Sequence, residues 1–502
     1  MRIFLFVLTK FVENDIIMLC RFKEVICVKD IHVRLINIVI EHFKNVSNGQ
    51  LDFVNNRKNF KTSILGLYGQ NGSGKTVLID AIQLLKYALC GKSIPTYFAD
   101  YIQVDADSAK IQYTFSIQSE NSKYEAFYEF KIRKEFNTTF QNTTTRELTE
   151  EENYKVMLFD EVLSYSYEDS IEKIRKGVLI DTMTQKVFVP LAKYECLLGK
   201  DKKVTTDLLV LKKLVAASSR SFIFSSELIN KIRKRKADVT DTEFKRHLLL
   251  LESLIFYGNF ELFIINTKNS GMISMNALPL AFKYEKENYG AVGNMMLSLE
   301  ALTLIPKDTV EIVKKVISDM NVVLLQMIPG LTISVKELGI QILKNGKVGS
   351  KIQLMSCKNK KEIPLKYESE GIKKIVSILQ LLIVIYNQSS ITVAIDEIDA
   401  GVFEYLLGEL LKILSEKGKG QLIFTSHNLR PLETLDRGFV AFTTANPNNR
   451  YVRMSGLKDN NNLRDFYFRD IILGEQEEKL YNPTNNAEIT LAFREAGEVG
   501  VP

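Results

Sequence analysis

Tryptophan is absent from this 502-residue chain, and histidine (4), cysteine (5) and proline (10) are sparse. The five cysteines, Cys20, Cys27, Cys90, Cys196 and Cys357, are scattered, and none forms a C-x-x-C pair. That spacing excludes a disulfide scaffold and a zinc ribbon, and it reads as the reduced thiols of a cytoplasmic protein. The four histidines, His32, His42, His247 and His427, are equally dispersed, so no histidine-rich metal site is expected. No stretch approaches the ~20 apolar residues of a membrane span. The richest run, Ile375 to Tyr386, is interrupted by Ser377 and Gln380 and reads as a buried helix. A short apolar segment follows Arg2, but Lys10, Glu13 and Asp15 come at once, with no small-x-small cleavage pattern. Residues 1–30 therefore read as an N-terminal extension rather than a signal peptide, or as an upstream start with Met18 as the true first residue. Fixed-period repeats and sustained heptads are missing too, which argues against a solenoid or a long coiled-coil arm.

What remains is an ordinary globular composition, 46% hydrophobic and 25% charged. The net charge of +6 permits a nucleic-acid partner without requiring one. Val33 to Glu41 is rich in β-branched residues and reads as a strand. Ser63 to Tyr68 is an apolar run that stops at glycine, the pattern of a buried parallel strand. Asp80 to Cys90 has helical periodicity, and Ala109 to Ile117 and Ala126 to Ile132 read as antiparallel strands. From about 150 to 320 the chain mixes short strands with helical stretches, the best being Leu208 to Ala217, Glu227 to Lys236 and Thr242 to Tyr257. Beyond Leu331 strand-like runs return, among them Ile391 to Ile395 and Gln421 to Thr425.

Gly69-Gln70-Asn71-Gly72-Ser73-Gly74-Lys75-Thr76 fits G-x-x-x-x-G-K-[ST], between an expected buried strand and an expected helix. Glycines let backbone N–H groups turn inward around an anion, and a helix N-terminus adds partial positive charge. Lys75 can reach β- and γ-phosphates, and the Thr76 hydroxyl is a hard ligand suited to Mg²⁺. Downstream, Ile391 to Ile395 ends in Asp396 and Glu397. An aspartate at such a strand tip can hold the metal's water shell, and an adjacent glutamate can act as general base on a water. Gln421 to Thr425 leads into Ser426 and His427, and a neutral histidine there can donate a hydrogen bond to a γ-phosphate.

These pieces resemble the ABC-type ATPase superfamily in its SMC, RecF and OLD-like branch, whose members are often described as AAA-family ATP-binding proteins. Four segments carry the resemblance: GQNGSGKT, ESEGIKK at Glu368 to Lys374, AIDEIDAG at Ala394 to Gly401, and FTSHN at Phe424 to Asn428. It covers roughly 30–150 and 325–445. The resemblance implies an α/β fold: a P-loop ABC-type head of mixed β-sheet with helices, carrying an inserted, mainly helical lid. It implies ATP and Mg²⁺ as cofactors. Ser369 and Gly371 would form a signature loop capping ATP on a second subunit, Asp399 would link the two sites across a homodimer, and His427 would be the switch histidine. The signature reads Ser369-Glu370-Gly371, a departure from the fuller LSGGQ form. A Mg²⁺-sensing glutamine is also expected, with Gln103 as candidate. On chemistry alone, Ser369 and Gly371 serve equally as an anion site or as an ordinary helix cap.

The implied organisation is an extension (1–30), an N-terminal lobe of the head (31–150), an inserted lid (151–325), a C-terminal lobe (326–445) and an appendage (446–502). No acids suited to a Toprim-type nuclease follow His427, so any cutting falls to a separate effector protein. Asp105 and Asp107 read as a polar loop. Lys231, Arg233, Lys234, Arg235 and Lys236 form a basic run that suits nucleic-acid phosphates or, equally, a solvated helix face. The expected function is Mg²⁺-dependent ATP hydrolysis by a dimerising head, coupled to nucleic-acid or effector control in phage defence or DNA maintenance. The alternative is a regulatory ATP switch with little turnover. With no tryptophan, an adenine stack has to use Tyr, Phe or an aliphatic surface.

Overall fold

The computed structural model describes residues 16–21, 31–55, 62–136, 154–235, 241–266, 277–286, 289–343, 346–453, 462–474 and 476–498. A six-stranded sheet lies at the centre, in the order Tyr451–Val452, Val440–Thr443, Ser63–Tyr68, Gln421–Thr425, Thr392–Ile395, Leu262–Ile265. The last five strands are parallel, and only Tyr451–Val452 runs against its neighbour. Every residue of those five strands is buried. That explains their unbroken apolar character, since a parallel strand covered on both faces needs apolar side chains at every position. The two faces feed different cores. Leu65, Leu67, Ala394 and Ile423 point one way, toward the helix Lys75–Leu89. Ile64, Tyr68, Val393, Ile395, Leu422 and Phe424 point the other way, toward the helices Val310–Met327 and Glu370–Asn387. The split follows the two-residue period of a strand.

A second six-stranded sheet is antiparallel throughout, in the order Val46–Asp52, His32–Phe43, Ala109–Gln118, Ser122–Phe136, Tyr154–Asp169, Lys173–Asp181. In Ala109–Gln118 buried and partly exposed residues alternate, so one face packs and the other meets solvent. The packed face covers Lys75–Leu89, with the Tyr113 hydroxyl donating to the Ala81 carbonyl at 2.6 Å. A smaller sheet joins Thr303–Pro306, Leu331–Ile342, Val348–Lys358 and Lys361–Pro364. In a three-stranded sheet Ile16–Arg21, from the N-terminal extension, pairs with Tyr289–Ser298.

Segment 151–325 contains the three expected helices as Lys202–Ala217, which starts before the expected Leu208, Ser226–Lys234 and Thr242–Phe256, and a further helix, Leu191–Leu198, that was not expected. Its flanks differ from the expected boundaries. Tyr154–Asp169 and Lys173–Asp181 extend the antiparallel sheet, and Leu262–Ile265 enters the central sheet beside Thr392–Ile395. Both are partnered far along the chain or through irregular register, which a local pattern does not reveal. The helical part of the insertion is thus 191–256.

Candidate functional site

Three strand ends converge at one edge of the central sheet. Ser63–Tyr68 runs into the phosphate loop, Thr392–Ile395 into Asp396 and Glu397, and Gln421–Thr425, lying between them, into Ser426 and His427. Parallel strands place all their C-terminal ends on the same side, where open α/β sheets bind ligands.

The loop turns through Gly72 and Gly74 at φ of 75° and 94°, the left-handed region that glycine adopts without strain. It is braced from outside. The Ser73 hydroxyl donates to the Gln70 carbonyl at 2.6 Å and also bonds Thr443. The Tyr451 hydroxyl donates to the Gly74 carbonyl at 3.1 Å, and the Asn45 amide donates to the Gly72 carbonyl. Lys75 is buried, and its ammonium donates to the carbonyls of Gly69 at 2.8 Å and Gln70 at 3.0 Å. Burial pulls its pKa down, opposed by the carboxylates of Asp396, Glu397 and Asp399.

Asp396 is buried and accepts from Thr425 Oγ1 at 2.6 Å and from Thr76 Oγ1 at 3.4 Å. Thr425 in turn accepts the Glu397 N–H at 2.8 Å, so one hydroxyl fixes both acids. Glu397 has a φ of 48°, an uncommon backbone state for a residue with a side chain, of the kind that recurs at active sites. Asn71, Gly72, Lys75, Thr76, Asp396 and Glu397 line a cavity of about 610 Å³, with His427 at its edge. Thr76 and Asp396 offer two hard oxygens, a donor set that fits Mg²⁺ with water completing its shell.

Asp399 lies one turn beyond. Its Oδ2 accepts the N–H groups of His427 at 3.1 Å and Asn428 at 3.0 Å. Ser369 caps the helix Glu370–Asn387, accepting the Ile372 N–H at 3.4 Å. Gly371 meets the aspartate loop so closely that a Cβ there would sit 2.5 Å from the Gly401 carbonyl oxygen. Neither Ser369 nor Gly371 lines the phosphate-loop cavity of its own chain. Gln103 is not brought to the cavity either. It follows the helical turn Thr96–Tyr101, where its side chain bonds His42 Nδ1 at 3.2 Å and Ser47 Oγ at 3.3 Å.

Two residues of the basic run, Lys231 and Arg233, are ion-paired within the chain. Lys231 pairs with Asp207 at 3.0 Å, Arg233 grips Glu252 at 2.6 and 2.7 Å, and Arg235 lies over the Phe244 ring. Lys236 lies outside the described residues.

Several site residues were not anticipated from sequence. Lys44 and Asn45 join the cavity wall from the tight turn between His32–Phe43 and Val46–Asp52, and Lys44 pairs with Asp80 of the phosphate-loop helix. The available signal was the H-F-K-N turn beside a strand. Lys374 is buried, with no hydrogen-bond partner for its ammonium among the described residues. Burial pulls its pKa down, while Asp396, Asp399 and Glu397 push it up. The appendage also reaches the loop. The Gln70 side chain accepts from the Asn482 N–H at 3.0 Å, and Tyr467 and Tyr481 face Gln70 across a second hollow of about 350 Å³.

Residues 37–268 match the AAA domain family. Three solved structures overlay loosely. A SmcHead bound to the C-winged helix domain of ScpA is 11% identical, covering 84% of this chain and 97% of that one at a TM-score of 0.35. The SMC head domain from Thermotoga maritima is 13% identical, covering 84% and 100% at 0.33. The Smc head domain with an extended coiled coil, bound to the C-terminal domain of ScpA and derived from Pyrococcus furiosus, is 12% identical, covering 84% and 96% at 0.34. No curated protein matches the chain. The phosphate loop, the strand order and the AAA domain match, which takes in the loop itself, define the class as a P-loop ATPase fold. No helix among the described residues is long and apolar enough to cross a membrane.

Proposed function

We propose that this chain binds ATP with Mg²⁺ and hydrolyses it, and that two copies close around the nucleotide. The supporting observation is the convergence of Lys75, Thr76, Asp396 and Glu397 on one cavity at the end of a parallel sheet. Lys75 exchanges the carbonyls of Gly69 and Gln70 for phosphate oxygens. Thr76 and Asp396 would hold the ion, whose charge would offset that of the phosphates. Glu397 orients a water and takes its proton. His427 donates to the γ-phosphate. Ser369 and Gly371, remote from their own cavity, cap the nucleotide of the partner copy. We place this cycle in a cytoplasmic protein that controls nucleic acid or a separate effector in phage defence or DNA maintenance, a role supported only by the family resemblance.

The Glu397→Gln variant tests the whole reading. It is expected to bind ATP, lose turnover and sediment as a dimer with ATP. A variant that binds ATP yet stays monomeric, beside a wild type that hydrolyses normally, removes the two-copy model. Retained nucleotide affinity in Lys75→Ala removes the phosphate-loop assignment. Absence of hydrolysis with or without DNA, together with ATP-dependent partner binding, favours the regulatory switch.

A further inference from the structure

Dispersed in sequence, one cysteine and one histidine are brought together by the helical insertion. Cys196 sits on Leu191–Leu198, and Glu243 and His247 sit one turn apart on Thr242–Phe256. One ligand atom from each of the three lies within 4.8 Å of the others. Cys196 Sγ is 3.7 Å from His247 Nδ1, a separation that two adjacent ligands of a tetrahedral zinc ion adopt. The imidazole is fully buried, and its other nitrogen, Nε2, lies 2.8 Å from the Tyr165 hydroxyl and 3.8 Å from Glu243 Oε1, so the carboxylate has to swing about the ring edge to share an ion with Nδ1. A ligating histidine characteristically donates its second N–H to such a partner, which fixes the tautomer and aims Nδ1 at the metal. We propose that Cys196, Glu243 and His247 form a zinc site that pins the helix 191–198 to the helix 242–256.

The donor set suits this ion. A thiolate selects zinc over magnesium or calcium, imidazole and carboxylate complete three positions, and the fourth is left for water. Ligation takes a neutral imidazole, a carboxylate and a thiolate, so the thiol proton is lost on binding. A Zn–S bond forms, the S–H bond breaks, and one proton passes to solvent, which makes affinity rise with pH. The charged groups facing the cluster are Lys193, Arg235, Asp241 and Arg246. Arg246 is engaged by Glu172 at 3.1 Å. Lys193, paired with Glu243, is the cation that zinc displaces, and it is partly exposed and can turn to solvent.

The test uses the full chain, freed of metal by a chelator and titrated with Co²⁺ and then Zn²⁺. One equivalent of Co²⁺ is expected to give a thiolate-to-metal charge-transfer band, which Zn²⁺ abolishes by competition. Cys196→Ser is expected to lose the band while retaining nucleotide binding, which reports that it folds. Tyr165→Phe is expected to keep the band with affinity lowered about 10- to 100-fold. Calorimetry of the wild type in buffers of different ionisation enthalpy is expected to show one proton released per Zn²⁺. A wild type with no band, or a band that survives Cys196→Ser and so belongs to another cysteine, overturns the site. Zinc binding without proton release overturns the thiolate ligand and leaves His247 as a satisfied core histidine.

Discussion

The carboxylate of Asp399 accepts the backbone N–H of His427 at 3.1 Å, and the same oxygen accepts that of Asn428 at 3.0 Å. The loop after one strand thereby holds the turn after its neighbour, and the His427 ring is placed at the cavity by a residue that does not line it. Asp399→Ala leaves the His427 N–H without its acceptor, while the Asn428 N–H keeps Ser426 Oγ at 3.0 Å, so the turn is loosened on its His427 side. Turnover is expected to fall about 10- to 100-fold, equivalent to about 1.4–2.8 kcal/mol in the barrier. ATP affinity should hold within roughly threefold, because the phosphate loop is untouched. Nucleotide titration beside steady-state hydrolysis separates the two effects. A matching loss of affinity would show that Asp399 shapes the binding site instead.

Lys374 presents a second relationship. Its buried ammonium is influenced by Asp396, Asp399 and Glu397, and it stands on the helix capped by Ser369. Lys374→Met keeps the apolar stem and removes the charge, making the potential around Asp396 more negative. The Mg²⁺ concentration for half-maximal turnover is expected to drop several-fold, since at short range in a protein interior one charge is worth on the order of kcal/mol. An unchanged Mg²⁺ requirement in a folded Lys374→Met protein would mean that the two charges are uncoupled.

Three strands of the central sheet, with the candidate site residues at their ends, were readable from sequence because each is a local signal, whereas Leu262–Ile265 and Val440–Thr443 were not read as strands. Ser63–Tyr68, Thr392–Ile395 and Gln421–Thr425 are apolar runs stopped by a glycine loop or polar residues, and full burial accounts for them. Asp396 and Thr76 come together only through the pairing of strands far apart in the chain, yet their motifs announce them separately. Lys44 and Asn45 carried only the weak signal of a turn beside a strand, and Lys374 carried none. A lysine in a turn and a lysine in an apolar helix are ordinary in sequence, and only tertiary packing turns them toward the acids. The same holds for Tyr154–Asp169, whose interleaved charges concealed a strand that pairs with Ser122–Phe136 through a register shift between Glu129 and Lys131. The cysteine and histidine counts argued against a metal cluster for the same reason, since spacing along the chain is silent about Cys196 meeting His247.

Gly371 tests the contact between the first turn of the helix Glu370–Asn387 and the loop that carries Asp399 and Gly401. A Cβ at this position would lie 2.5 Å from the Gly401 oxygen, a backbone atom that cannot rotate away. Gly371→Ala is expected to destabilise the chain by about 1–3 kcal/mol, the usual magnitude of overpacking. Thermal unfolding measures this. Hydrolysis is expected to fall further than stability alone predicts, because the displaced loop carries Asp399. A transition temperature equal to wild type would contradict the close approach.

His247 supplies a pH dependence whose sign is fixed by its environment. Burial first, and Lys193 second, hold its folded pKa at about 4, against an ordinary value of 6.5. Above pH 6.5 the ring is neutral in both folded and unfolded chains, and its contribution to stability is fully present. As pH falls from 6.5 toward 4 the unfolded chain takes up a proton that the folded chain refuses, so stability declines by about 1.4 kcal/mol per pH unit from this group. Below about 4 the decline from His247 ends, because the folded ring protonates as well. Urea midpoints measured with chelator present, between pH 7 and 4.5, carry this slope together with those of titrating carboxylates. The informative quantity is therefore the difference between wild type and His247→Gln, which removes the titration and keeps a hydrogen-bonding side chain facing Tyr165. The variant is expected to lose less stability over that interval than wild type. Parallel curves would mean that the folded ring accepts its proton as readily as the unfolded one, and that Tyr165 and the surrounding helices do not hold it neutral.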